Sequence, residues 1–294
     1  MDVNAFFEEY SKILHSGTPD QVGAFLRDAL VTAVNEQDNN AQISILNEAA
    51  GYFRNISNYT AAIDMGQSAL DLLQHIGATG TEAHGTTLLN VATAYRAAGE
   101  LDKAMALFEE SLGVLSRTVG VNDHRLAALH NNISAIHEER GQGPQALEHL
   151  RKAVAIMETH PEMVHDTAIV LSNLGMCLLR AEQRAEAVRT LEKAGELFRS
   201  SQDSTIPPQY AAMLAGLAEA HFHAGEFELS VARYKEALSL LRMSFGENRD
   251  YAVTCMNCAD AMEAMGNTEE ARTMRNKAQA ALDRLAIQHR EGSA

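Results

Sequence analysis

The stretch "LLNVATAYRAAGELDKAMALFEESL", residues 88–112, indicates the fold because its pattern of small residues recurs along the chain. Counting from Ala92, a turn residue follows after seven positions, a second small residue after five more, and a third after another seven. These four columns stay in register through six repeats. The second small residues are separated by 42, 42, 41, 43 and 41 positions, in the order Ala62, Ala104, Ala146, Ala187, Ser230 and Ala271. A sustained period of this length is typical of stacked structural repeats.

Each repeat predicts a hairpin of two α-helices. Apolar residues recur at helical spacing on both sides of the turn, and Gly99 favours the left-handed geometry at which a helix ends. A hairpin cannot bury both of its faces alone, so neighbouring hairpins must stack. The fold class is therefore all-α, with antiparallel hairpins stacked into an α-solenoid. The predicted turn residues are Ser57, Gly99, Gly141, Glu182, Gly225 and Gly266.

This spacing resembles the tetratricopeptide repeat (TPR), which has a small residue, an aromatic residue three later, a turn glycine, and then Ala, Phe or Tyr, and Ala. The long repeats and their "LNV" and "NNI" starts are more similar to the kinesin-light-chain subtype than to the form of about 34 residues. The resemblance covers roughly residues 41–290. It implies a right-handed superhelix whose first helices line a concave groove, and we expect a bacterial member.

The repeats define the predicted domain organisation. Residues 1–40 are expected to form a degenerate N-terminal capping helix pair, in which "TPDQ" (residues 18–21) is a capping box and Phe6, Phe7 and Tyr10 cover the open end of the stack. Residues 291–294 form a tail. The six hairpins are predicted at about 41–82, 83–124, 125–165, 166–206, 207–247 and 248–290.

Composition limits the functional classes. The chain of 294 residues has 39 acidic and 24 basic residues and a formal net charge of −15, which disfavours nucleic acid as a partner. No apolar stretch approaches the ~20 residues of a membrane span, and the N-terminus does not resemble a signal peptide. Three cysteines, an odd number, disfavour a disulfide framework. We therefore expect a cytoplasmic protein that is not associated with a membrane.

Two patterns could indicate metal or redox chemistry. The "CMNC" stretch has a redox-like spacing, but Cys255 and Cys258 fall in apolar columns of the hairpin, so we interpret them as core residues. His130, His137 and His221 also occupy packing columns, where a ring nitrogen can be hydrogen-bonded at the edge of the core. No catalytic motif appears. We predict a non-catalytic protein without metal or cofactor.

Asparagine recurs two residues before the first small residue of several repeats. Two residues correspond to about 200° around a helix, so this column faces away from the hairpin's own packing. Its amides could hold the backbone of an extended peptide, or they could bond the neighbouring helix and fix the stacking. The column contains Asn90, Asn132, Asn173 and Asn257, and the other groove candidates are Asn47, Arg54, Thr93, Arg96, Asn131, Glu138, Met176 and Arg180.

Three functional hypotheses remain. The first is a scaffold that binds an extended peptide segment of a protein partner in its groove. The second is a bacterial-type intracellular sensor of a signalling peptide, and the third is an accessory subunit of an enzyme. Chaperone C-termini are not expected partners, because the columns of the family's Lys/Arg clamp hold Asn47, Gly51, Asn90, Ala128 and Asn132. Self-association into a homo-oligomer is left open.

Overall fold

The computed structural model describes residues 1–200 and 208–291, and these residues form fourteen α-helices and no β-strand. The all-α prediction is confirmed. The predicted hairpin boundary at 206/207 and three of the four tail residues lie outside the described residues. The helices are α1 (Val3–Ser16), α2 (Pro19–Asn35), α3 (Asn39–Asn55), α4 (Tyr59–His75), α5 (Glu82–Ala97), α6 (Leu101–Thr118), α7 (His124–Glu139), α8 (Gly143–Met157), α9 (Val164–Arg180), α10 (Arg184–Ser200), α11 (Pro208–His223), α12 (Phe227–Phe245), α13 (Arg249–Ala264) and α14 (Thr268–Glu291).

The helices form two compact units. The N-terminal unit, residues 1–139, contains α1 to α7, and the C-terminal unit, residues 140–294, contains α8 to α14. Within each unit a helix packs against the next one along the chain, as in α3–α4–α5 and α9–α10–α11. The first helices of successive hairpins also touch, in the pairs α3–α5, α5–α7, α9–α11 and α11–α13. Each unit is therefore a stack of antiparallel hairpins.

The six predicted turn residues all adopt left-handed backbone geometry. Their φ angles lie between 59° and 83°, including those of Ser57 and Glu182, which carry side chains. Glycine has no steric penalty in this region, whereas other L-residues are disfavoured there. The repeat register inferred from the sequence is therefore confirmed at every turn.

The small-residue columns lie where helices make their closest contacts. Ala104 and Ala146 are completely buried, as are Ala62, Ala187, Ser230 and Ala271 in the same column. At Gly175 a Cβ atom would lie 2.4 Å from Leu191 Cδ2, so a side chain there would collide with α10. Small residues recur in these columns because they allow two backbones to approach.

The N-terminal hairpin covers one end of its unit with aromatic rings. The capping box is present, since the Thr18 backbone N–H donates to Gln21 Oε1 at 2.7 Å and the Gln21 backbone N–H donates to the Thr18 hydroxyl. Phe6 and Tyr10 are buried and stack on Phe25. Phe7, which was expected to join this cover, is 40% exposed and meets Phe6 edge-on.

No helix among the described residues has both the length and the apolar character required to cross a membrane.

Candidate functional site

A cavity of about 360 Å³ in the C-terminal unit lies between first helices of successive hairpins. The α11 side contributes Ala212, Ala215, Gly216 and Glu219, and the α13 side contributes Asp250, Val253, Thr254 and Asn257. Both sets follow the spacing of one helical face. We call this space the α11–α13 cavity, and its remaining lining residues are Met176, Ala211, Leu241 and Asn248.

The α11–α13 cavity combines an apolar floor with an acidic rim. Alanine, leucine, valine and methionine side chains, together with Gly216, form more than half of its lining, while Glu219 and Asp250 are exposed. Gly216 occupies the asparagine column, and a Cβ atom there would lie 2.3 Å from Met176 Sδ. The Met176 thioether therefore fills the space that an asparagine side chain would need. Pockets of this size and character accept bulky apolar groups.

A smaller cavity of about 150 Å³ adjoins it and shares Glu219 and Asn257 with it. Tyr234 lines this second space, and its burial raises the pKa of the phenol above the usual value. The phenol is therefore neutral at ordinary pH. The other lining residues are Phe222, His223 and Asp260.

In the N-terminal unit, the predicted groove amides bond to each other. Asn90 Nδ2 donates to Asn47 Oδ1 at 2.8 Å, and Asn47 Nδ2 donates to Thr87 Oγ1 at 3.0 Å. These bonds join α3 to α5. The sequence allows two roles for these amides, ligand contact or bonding to the neighbouring helix. Between α3 and α5 they have the second role.

Arg54 and Arg96 occupy equivalent positions on α3 and α5, four residues after Ala50 and Ala92. Both side chains are half-buried. Burial, and secondarily the positive charge of Arg96, lowers the pKa of the Arg54 guanidinium from its usual value. Among the described residues neither arginine forms an ion pair, and Arg96 Nε is buried without a hydrogen-bond partner. We call these two side chains the arginine pair.

The remaining predicted groove residues are placed as follows. Thr93 and Asn132 donate to carbonyl oxygens of their own helices, those of Leu89 and Ala128. Asn131 and Glu138 lie on α7, and Asn173 and Arg180 lie on α9. Each of these four has a polar or electrostatic contact within the chain. In one unit the structure thus brings Asn47 to Asn90 and, separately, Arg54 towards Arg96, and in the other unit Met176 and Asn257 line the same cavity.

The cysteines belong to the core. Cys255 and Cys258 are completely buried on α13, and desolvation raises the pKa of both thiols, that of Cys258 to about 11. A reactive thiol needs the opposite shift. Nδ1 of buried His221 donates a 2.6 Å hydrogen bond to Glu226 Oε2, in agreement with its assignment as a core-edge residue.

Sequence reasoning missed most of the α11–α13 cavity. Ala212 and Val253 each lie one helical turn before a member of the asparagine column, and Val253 is 51% exposed although it is apolar. Extending that column by one turn along each helix would have identified this face. The cavity itself depends on the separation of α11 from α13, which the sequence pattern does not specify.

Comparison with known proteins agrees with this geometry. The tetratricopeptide repeat matches residues 41–117, 83–159, 125–200 and 209–284. The apo form of RapI superposes with a TM-score of 0.69 at 17% identity, covering 98% of this chain and 100% of RapI. BtubC (BKLC) from P. vanneervenii gives 0.62 at 17% identity, covering 80% of this chain and 91% of that one.

A Podosopora anserina protein with nearly identical TPR-like repeats, assigned as a kinesin light chain, gives a TM-score of 0.53 at 20% identity, covering 68% of this chain and 95% of that one. At these identities the likeness concerns the fold. The repeat matches, in contrast, extend over most of the sequence and coincide with the hairpins. The chain belongs to the tetratricopeptide repeat family, and its structural neighbours include kinesin-light-chain-like members.

Proposed function

We propose that the protein is a non-catalytic scaffold that binds a peptide segment of a protein partner on the exposed faces of its first helices. Membership in the TPR family supports a role in protein–protein interaction. The observation that carries the more specific proposal is the α11–α13 cavity, which is open, largely apolar and lined by two parallel stripes of first-helix residues. A bulky apolar side chain of the partner would enter it as an anchor.

The rim of the cavity indicates the chemistry beside that anchor. Glu219 and Asp250 are exposed carboxylates, and the exposed Asn257 amide can donate to or accept from a peptide backbone. The Asn248 oxygen already accepts from Tyr251 N at 2.9 Å as the cap of α13, which leaves its NH2 group as the donor. A lysine or arginine next to the anchor would be attracted to the carboxylates, whereas an acidic residue would be repelled. The partner segment is therefore proposed to combine an apolar anchor with a neighbouring basic residue.

Filling the cavity tests this function. Ala212 is exposed and lines the cavity, so Ala212→Phe should occupy the anchor site without disturbing the core. The matched control is Ala232→Phe at an exposed position of α12 in the same unit. Affinity purification with quantitative mass spectrometry should recover the same partner with the wild-type protein and the control, but at least about tenfold less with Ala212→Phe.

Equal recovery of every partner by the two variants would contradict the proposal. Circular dichroism on both variants provides the folding check, since the substitutions add the same side chain to two exposed helical positions.

A further inference from the structure

The arginine pair has no internal function that the structure reveals. A half-buried arginine is ordinarily retained by a carboxylate or by several hydrogen bonds, because removing a guanidinium from water is unfavourable. Arg54 has one long contact, from Nη2 to Asn55 Oδ1 at 3.5 Å, and Arg96 Nε has none among the described residues.

The lack of carboxylate partners contrasts with the rest of the chain. Acidic residues outnumber basic ones by 39 to 24, so acidic partners are abundant in the sequence. Arg125 in the same unit binds Asp123 and Glu82, each at 2.8 Å. The arginine pair thus stands out among the half-buried arginines of this unit.

The two guanidiniums also oppose one another. Equivalent positions on α3 and α5 place like charges near each other at a partly desolvated surface, where repulsion is stronger than in open water. An anion placed between them would relieve the repulsion and supply a partner for Arg96 Nε. A carboxylate suits this role because a guanidinium can hold it through two parallel N–H···O bonds.

We propose that the arginine pair is a recognition site for a glutamate or aspartate side chain of a bound protein segment. The inference rests on the proposed function, in that the first-helix faces receive a partner's peptide. It adds a second determinant, in the N-terminal unit, with chemistry opposite to that of the acidic rim of the α11–α13 cavity. Since the whole protein carries a net charge of −15, an acidic peptide that binds must be held by a local positive site.

Hexaglutamate is the direct probe, with hexaglutamine as its uncharged counterpart. Fluorescence anisotropy of labelled peptides at low salt should show that the wild-type protein binds hexaglutamate and not hexaglutamine. Arg54→Gln/Arg96→Gln should weaken hexaglutamate binding by about ten- to a hundredfold. The matched control, Arg27→Gln/Arg117→Gln, removes two exposed arginines from second helices of the same unit and should bind like the wild type.

Thermal melting separates ligand recognition from a structural role. Without peptide, the double variant should melt no lower than the wild type, because the repulsion between the two charges is gone. Arg54→Met/Arg96→Met, which keeps an apolar stem at each position, repeats the test if the glutamines disturb packing.

Failure to bind hexaglutamate, equal binding by the double variant, or equal loss in the Arg27/Arg117 control would overturn the proposal. Ala212→Phe should retain hexaglutamate binding, because its cavity lies in the other unit. Loss of the natural partner in that variant therefore tests the proposed function independently of the arginine pair.

Discussion

Among the residues that the structure describes, three hold left-handed backbone angles although they carry side chains. Gln37, Ser57 and Glu182 have φ angles of 53°, 60° and 59°, whereas the equivalent turns elsewhere use glycine. For an L-residue this conformation is unfavourable by about 1–2 kcal/mol. Glycine removes that penalty but loses about 0.5–1 kcal/mol more conformational freedom on folding. The balance favours glycine at these turns.

Glu182→Gly is therefore expected to raise the free energy of unfolding by about 0.5–1 kcal/mol. Glu182 is exposed, so the substitution removes little packing. Urea denaturation monitored by circular dichroism measures the change. Glu182→Ala is the matched control, because it removes the same side chain and keeps the steric penalty. If alanine stabilises as much as glycine does, backbone strain is not the cause.

At the scale of single residues, the sequence predicted backbone conformation more successfully than it predicted side-chain contacts. The column register placed Ser57 and Glu182 at turns although neither is glycine, and both adopt the required geometry. The partner of Asn90 could not be predicted in the same way. An amide on that face reaches either a ligand or the next helix, and the choice depends on side-chain rotamers and on the exact distance between α3 and α5.

Between elements, the Asn47 side chain is a polar link from α3 to α5. It accepts from Asn90 and donates to Thr87, and it also donates to the Ile43 carbonyl of its own helix. Thr87 is completely buried, so its hydroxyl would lack this donor if Asn47 were removed. The three side chains form one network, whose members are not expected to act independently.

A double-mutant cycle at Asn47 and Asn90 measures this network. Each single change to Ala should lower the free energy of unfolding by about 0.5–1.5 kcal/mol, and the coupling between the two should be about 0.5 kcal/mol or more. The measurement is urea denaturation of the four proteins, with hexaglutamate binding recorded on each. Strictly additive losses would show that the two amides do not support one another and would contradict the network.

The elements themselves followed from the pattern of small and apolar residues, because hairpins that stack repeatedly impose the same steric demand in every repeat. The cavity between α11 and α13 did not. Its volume depends on the rotamer in which the Met176 side chain packs against Gly216. A methionine side chain has several rotamers, and the sequence does not specify which one is adopted.

For the whole molecule, the excess of negative charge opposes compaction. A net charge of −15 on 294 residues produces repulsion that acts over the Debye length, about 30 Å at 0.01 M salt and 10 Å at 0.1 M. Most ion pairs of the described residues are exposed, such as Lys12–Glu9 and Arg272–Glu269, and such pairs contribute little each. Screening should therefore remove more repulsion than attraction.

Raising sodium chloride from 0.01 to 0.1 M is expected to increase the melting temperature by a few degrees, at constant pH and protein concentration. Differential scanning calorimetry gives the value directly. Choline chloride at the same ionic strength is the control for specific cation effects. A decrease in both salts would mean that surface ion pairs outweigh the net repulsion.

The division into two compact units had no counterpart in the sequence. The boundary falls at residues 139 and 140, inside the hairpin predicted for residues 125–165, and the repeat columns run through this point unchanged. Gly141 has the same left-handed φ as the other turns. A periodic pattern specifies the local hairpin in each repeat. Because it is the same in every repeat, it does not specify how contacts are distributed over many repeats.

The arginine pair has a consequence for how the protein can evolve or be engineered. If its two charges destabilise the protein without a bound partner, random substitution of Arg54 or Arg96 by a neutral residue is among the simplest routes to a more stable protein. A laboratory screen that rewards heat resistance alone would enrich such variants and discard recognition of acidic partners without any sign of damage to the fold. A screen intended to preserve binding must therefore select on the occupied protein, in which the two charges are neutralised.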